Sequence, residues 1–255
     1  MIGNTLGQYQ IISKLGSGAM AEVYLGRHVE TGAEAAVKVI RKHLANDQKF
    51  LQRFEREARL IAKLNHPHIL KVYGYHVAQT ADDVSFIVME LINGETLDEK
   101  LKAQRKANGN ASLSILEALS IIEAVGSALA YAHQQTLIHR DIKPSNVMID
   151  THGRVILTDF GLAKAADDAR LTATGAMMGT PAYMSPEHAL GNPGDHRADI
   201  YSLGVMTFEL VTGQLPFSAS SVIGIVMKHI SVPPPAPQSF KADVPEWLSR
   251  AILKT

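Results

Sequence analysis

The chain has 255 residues, 46% of them apolar, enough to bury one large core or two smaller ones. Lys plus Arg and Asp plus Glu both number 25, so no net field recruits nucleic acid or an anionic membrane, and any phosphate chemistry must rely on local charge. There is no cysteine, which excludes disulfides, thiolate nucleophiles and Cys-based zinc sites and fits a reducing compartment, with cytoplasm as the expected location.

The N-terminal MIGNTLGQYQIISKLG has neither a basic leader nor a continuous apolar run, so no secretory signal is expected at this end. From Tyr9 to Ile40, short apolar runs (YQIISKL, AEVYLGRH, EAAVKVI) alternate with Gly-containing turns, predicting an antiparallel three-stranded meander. FLQRFEREARLIAKL follows with helical spacing of Phe50, Phe54, Ile61 and Leu64, and Pro67 stops it. LKVYGYHV and VSFIVMEL read as two further strands. The expectation is a five-stranded antiparallel sheet with one helix, forming a small lobe over residues 1–90.

After a polar insertion, KAQRKANGNAS, the period changes to helical: ILEALSIIEAVGSALAYAHQQ, then segments 197–213 and 220–230, then VPEWLSRAILKT after a Pro-rich loop, VPPPAPQ. Residues 91–255 are therefore expected to form a larger, mainly helical lobe, giving an α+β fold in two parts. The apolar stretches YSLGVMTFELV and SVIGIVMKHI are short and are interrupted by Glu209 and by Lys228 and His229, so no membrane segment is expected in these residues. The last helix lacks a C-cap signal, which suggests that the chain is an excerpt of a longer protein.

LGSGAMAEV, residues 15–23, places Gly16 and Gly18 in a turn, with Ala21 where a third glycine would complete G-x-G-x-x-G. A dinucleotide fingerprint requires a helix next, whose N-terminus takes the pyrophosphate. Here the β-prone EVYLG follows, so the motif is a strand–turn–strand flap and an oxidoreductase reading fails. Lys38 lies inside the apolar strand AAVKV, where a charge is costly unless paired, and Glu55 and Glu57 on the following helix are the candidate partners. HRDIKPSN at 139–146 gathers His139, Arg140, Asp141, Lys143 and Asn146 into eight positions, followed by DFG at 159–161 and SPE at 185–187.

In this order and at these separations, LGSGAMAEV, AAVK, FEREARLIAKLNHPHIL, HRDIKPSN, TDFG, GTPAYMSPE and DIYSLG resemble the protein kinase family. Specifically, they resemble its bacterial, eukaryotic-like Ser/Thr branch, over the chain from about Tyr9 to the end. The resemblance implies the bilobal protein kinase fold and transfer of the γ-phosphoryl group of ATP to Ser or Thr hydroxyls of protein substrates, with Mg²⁺ as the metal and Mn²⁺ as an alternative. It implies that Lys38 holds the α and β phosphates while Glu57 fixes Lys38. Asp141 would orient the substrate hydroxyl and take its proton, and Lys143 would steady the transferring group. Asn146 and Asp159 would be the metal ligands. Nucleotide contacts are expected from Leu15, Gly16, Ser17, Gly18, Ala19, Val23, Ala36, Met89, Met148 and the backbone of Glu90 and Ile92. His139 is expected to be structural, packed near the DFG turn.

By the same resemblance Arg140, with Lys164, would receive a phosphate on Thr172 or Thr174, ordering the activation loop after autophosphorylation, for which a homodimer would bring two copies together. Thr180 is expected to be a structural hydroxyl. The intact residue set disfavours the alternative of a pseudokinase or nucleotide-binding scaffold, and GTPAYMSPE disfavours a small-molecule phosphotransferase. Relatives of this branch pair the glutamate of SPE, here Glu187, with a downstream arginine. The expectation is therefore that the chain continues, with room for a membrane anchor beyond these residues, or that another group serves Glu187.

Overall fold

The computed structural model describes residues 1–18, 20–45, 47–80, 83–160, 181–192 and 194–255. The described residues divide into two compact units, Met1–Asn93 and Gly94–Phe160 with the residues from Pro181 onward. The end of the first unit was expected at Glu90.

The first unit is built on one antiparallel sheet. Strands β1 (Thr5–Leu6), β2 (Tyr9–Ser17), β3 (Ala21–His28), β4 (Glu34–Ile40), β5 (Val72–His76) and β6 (Phe86–Met89) lie in the order β1-β2-β3-β4-β6-β5. The sheet thus has six strands where the sequence predicts five. The addition is β1, whose two residues pair with Tyr9 and Gln10 across a tight turn, and Gly7 supplies that turn with its positive φ of 55°. Two residues are too short to show any period, which is why pattern alone misses them.

Alternation along the strands separates two faces. Ile11, Tyr24, Ala35, Val37, Val39, Phe86 and Val88 pack together as the core of one face. Cross-strand register places Val23 opposite Lys38 opposite Ile87, and Leu25 opposite Ala36 opposite Met89, on the other. Between β4 and β5 lie α1 (Lys42–Ala45) and α2 (Gln48–Ile61). Asp47 caps α2, its carboxylate accepting from the amides of Lys49 and Phe50 at 2.9 and 3.2 Å, and so starts the helix ahead of Phe50. Phe50, Phe54, Ala58 and Ile61 form its buried stripe.

The second unit is mainly helical: α3 (Leu97–Asn108), α4 (Ile115–Gln134), α5 (Pro186–Ala189), α6 (Arg197–Thr212), α7 (Val222–Ser231) and α8 (Glu246–Ile252), beside a small sheet β7 (Gly94–Thr96), β8 (Val147–Asp150) and β9 (Val155–Leu157). Much of the expected polar insertion is helix α3. Thr96 and Glu99 close a reciprocal capping box at its start, and Gly109 ends it with φ 73°. α6 is buried nearly all round from Ser202 to Thr212, marking the centre of this unit. α4 is the one described helix long and apolar enough to cross a bilayer, a candidate that the sequence pattern passed over. Ala118, Ile121, Ala124, Val125, Ala128, Leu129 and Ala132 on it are buried within the unit.

His229 on α7 is 4% exposed, with its Nδ1 and the Tyr201 hydroxyl 2.7 Å apart. Burial pushes its pKa down to about 4, against a smaller opposing pull from the Ala182 backbone. An imidazole that resists protonation in the fold but accepts a proton near pH 6.5 when unfolded gives full stability above about 6.5 and loses it as pH falls toward 4. Urea unfolding from pH 7 to 5 should show a His229→Gln variant with a shallower pH slope than the parent, the difference approaching one proton.

Candidate active site

The residues at 139–146 are arranged by a carboxylate that lies about sixty positions downstream. Asp199, in the first turn of α6 and 1% exposed, accepts the backbone N–H of His139 at 2.8 Å on Oδ2 and that of Arg140 at 2.7 Å on Oδ1. His133 Nε2 also lies 2.8 Å from Oδ2. Here the two successive amides converge on one anion in a nest-like bend that passes through the left-handed region. Arg140 has φ 68°, a conformation that costs a non-glycine residue about 1–2 kcal/mol. Burial alone would raise the Asp199 pKa, but the His133 hydrogen bond and the two backbone amides together hold it below the ordinary 3.8. The positive end of α6 acts in the same direction.

From this anchor the loop is built by short bonds. His139 is fully buried, its Nδ1 accepts the Asp141 N–H at 3.2 Å, and its Nε2–H therefore donates to the Thr158 carbonyl at 2.8 Å. Its ring packs on Phe160 with centroids 4.6 Å apart, and burial lowers its pKa, so it stays neutral. Thr158 returns both its N–H (2.9 Å) and its hydroxyl (3.1 Å) to the Asn146 carbonyl. Asp159 follows with φ 60°, a second left-handed non-glycine residue.

Asp141, Lys143 and Asn146 converge within this frame. Lys143 Nζ is 2.7 Å from Asp141 Oδ2, and Asn146 Nδ2 donates to the Asp141 carbonyl at 2.7 Å and to Oδ2 at 2.9 Å. Because both acceptors are oxygens, the Asn146 nitrogen is spent on them, and its amide oxygen is the atom left to meet a cation. That oxygen and the Asp159 carboxylate are hard donors suited to Mg²⁺. Among the described residues no group of three or more His, Asp or Glu side chains forms a metal cage.

In the first unit, Val23, Ala36, Lys38 and Met89 share the sheet face opposite the packed core, in the register given above. On α2, at about 100° per residue, Glu57 falls about 20° from Phe50 at the edge of the buried stripe. Its Oε2 is buried, whereas Glu55 turns outward to Arg59 at 2.6 Å. Helix geometry thus separates the two glutamates that spacing alone leaves equal. The Glu90 N–H bonds the Lys71 carbonyl at 2.8 Å, Leu15 is half exposed, and Met148 lies on β8 between Thr96 and Ile156. Arg140 presents an exposed side chain. Ala19, Gly161, Lys164, Thr172, Thr174 and Thr180 lie outside the described residues.

The segment after these is fastened to α6: the Tyr183 hydroxyl donates to Glu209 Oε2 at 2.5 Å, and the Ser202 hydroxyl to the Tyr183 carbonyl at 2.7 Å. Glu187 is half-buried rather than sealed in. It lines a cavity of about 500 Å³ with Asp195, Arg197 and Tyr201, where its charge helps raise the Arg197 pKa, after the larger effect of Asp195.

The protein kinase domain family model matches residues 9–252. The serine/threonine-protein kinase PrkC of Bacillus subtilis is 40% identical over 255 residues, covering 100% of this chain and 38% of that protein. Serine/threonine-protein kinase PknA of Mycobacterium tuberculosis is 40% identical over 257 residues, covering 99% of this chain and 58% of that protein. The crystal structure of the M. tuberculosis PknI kinase domain superposes with a TM-score of 0.75 at 32% identity, covering 99% of this chain and 90% of that one. The chain belongs to the protein kinase family, among bacterial Ser/Thr protein kinases, and spans well under two thirds of the length of these curated relatives. The family uses ATP and a divalent metal.

Replacing Asp199 by Asn keeps its shape but removes the charge and one acceptor, leaving a buried amide unsatisfied. Denaturant unfolding should show a loss of about 2–4 kcal/mol. A loss under 0.5 kcal/mol would mean that the loop does not depend on this anion.

Proposed function

We propose that the chain is the catalytic domain of a Ser/Thr protein kinase that transfers the γ-phosphoryl group of Mg²⁺-ATP to protein hydroxyls and phosphorylates its own activation loop. The observation that carries the reading is the convergence of Asp141, Lys143 and Asn146 on a loop held by buried bonds. Asp141 accepts the proton of the substrate hydroxyl as its oxygen bonds to the γ-phosphorus, and the bond from phosphorus to the β–γ bridging oxygen breaks, releasing ADP. Lys143, beside Asp141, offsets charge on the transferring group. Asn146 and Asp159 hold the metal, which when bound neutralises charge on the phosphates. Mn²⁺ would fit the same donors.

Lys38 contacts the α and β phosphates and Glu57 orients it, while Val23, Ala36, Met89 and Leu15 of the first unit line the adenine slot, with the Glu90 carbonyl and Ile92 amide at its edge; in the second unit, Met148 is the proposed adenine contact. Among the described residues a Cβ on Gly16 would meet no atom within 4 Å, and Gly16 has no positive φ, so nothing described in the chain calls for glycine there. Close approach of a phosphate to the backbone does. Ser17, Gly18 and Ala19 share that role. Arg140, with Lys164, receives a phosphate on Thr172 or Thr174, and trans-autophosphorylation proceeds through a transient homodimer. The reading places this domain in the cytoplasm, with no membrane span of its own and any anchor elsewhere in the full-length protein.

Incubation with ATP and Mg²⁺ followed by phosphosite mapping should find phosphate on Thr172 or Thr174 in the parent and none in Lys38→Met or Asp141→Asn. No phosphate on any residue of the parent, and none transferred to a generic protein substrate, would overturn the reading.

A further inference from the structure

The glycine-bearing turn between β2 and β3 is tied down by a residue that belongs to neither strand. Arg41, just past the end of β4, reaches it with three hydrogen bonds. Its backbone N–H donates to the Met20 carbonyl at 3.0 Å, Nε to the Gly18 carbonyl at 3.1 Å, and Nη2 to the Ser17 hydroxyl at 2.9 Å. The turn's own bond, Gly18 N–H to the Ala21 carbonyl at 2.8 Å, completes the set.

The guanidinium also lies near an anion. Glu22, opposite Ser17 in the strand register, places Oε1 3.8 Å from Arg41 Nη2 and 2.6 Å from Lys14 Nζ, while its Oε2 accepts the Tyr24 hydroxyl at 2.6 Å. With Lys14 and Tyr24 bonded to it, Glu22 has its pKa lowered to about 2 and stays anionic at any working pH. A lone exposed ion pair contributes little, and the Arg41 side chain is 36% exposed. What sets this one apart is that the planar fork spends its donors on the backbone and hydroxyl of a turn that, by its glycines, would otherwise sample many conformations.

We propose that Arg41 is a positioning residue for nucleotide: a latch that holds Ser17, Gly18 and Met20 in place before ATP arrives, so that the Gly-rich segment meets the phosphates without first paying to become ordered. The latch rests on the kinase reading above. It acts on ground-state binding, so its loss should raise KM for ATP while leaving kcat nearly intact.

The test compares the parent with Arg41→Met, Arg41→Lys and Ser17→Ala, and with Arg27→Met as a control. Arg27 forms an exposed pair with Glu34 at 3.1 Å, at the other end of the same strands. Arg41→Met should raise KM for ATP about five- to tenfold with kcat within about twofold, and speed amide exchange at residues 17–21 in the nucleotide-free protein. Arg41→Lys and Ser17→Ala should fall between it and the parent, and Arg27→Met should match the parent. Unchanged KM, or unchanged exchange in the turn, in a chain whose parent binds ATP overturns the latch alone. A parent that neither binds nor turns over ATP overturns the kinase reading and the latch with it.

Discussion

One buried anion orders the candidate active site. Asp199 brings two consecutive amides and an imidazole to a single carboxylate, with Arg140, the second amide donor, held in the left-handed region. The conformation is unfavourable taken alone; three charge-assisted hydrogen bonds in a low-dielectric interior more than offset it. Asp199 in turn rides on α6, the helix buried nearly all round, so the loop inherits the rigidity of the densest part of the second unit. A site required to hold reacting groups within fractions of an ångström gains from being hung on such an element rather than on the surface.

The consequences run outward through named bonds. His139 is neutral, buried and tautomerically fixed by donating to Thr158 while accepting from Asp141. Thr158 then locks Asn146, and Asn146 clasps Asp141. Asp141 and Asn146, proposed for proton transfer and metal binding, are thus neighbours in a hydrogen-bond network made by the chain itself, which is the structural content of preorganisation. Electrostatics in the first unit follow the same logic at smaller scale: Lys14, Tyr24, Glu22 and Arg41 form a chain of polar contacts that ends on the glycine-bearing turn.

Much of this was legible in the sequence, and what escaped did so for identifiable reasons. The β2–β3–β4 meander and helices α4, α6, α7 and α8 emerge from alternation and helical spacing, because burial on one face imposes a period on the residues themselves. Strand β1 is too short to carry a period, and α3 is so polar that its capping box, not its composition, reveals it. The clustered motif HRDIKPSN pointed directly at Asp141, Lys143 and Asn146. Asp199 sits in the recognised DIYSLG stretch, yet its role depends on partners 59 and 60 residues away, and Arg41 acts on atoms 23 and 24 residues away. Long-range polar partnerships leave no periodic trace, so they became visible only once the chain was folded.

Native-state amide hydrogen exchange near neutral pH tests the central claim most directly. If the Asp199 carboxylate truly welds the loop to α6, the His139 and Arg140 amides should exchange only through global unfolding, with protection matching that of Val205 to Leu210 in α6, although they lie in a loop. Exchange of either amide at the rate of an exposed turn such as that at His152 and Gly153 would show that the loop opens on its own, and would contradict the account.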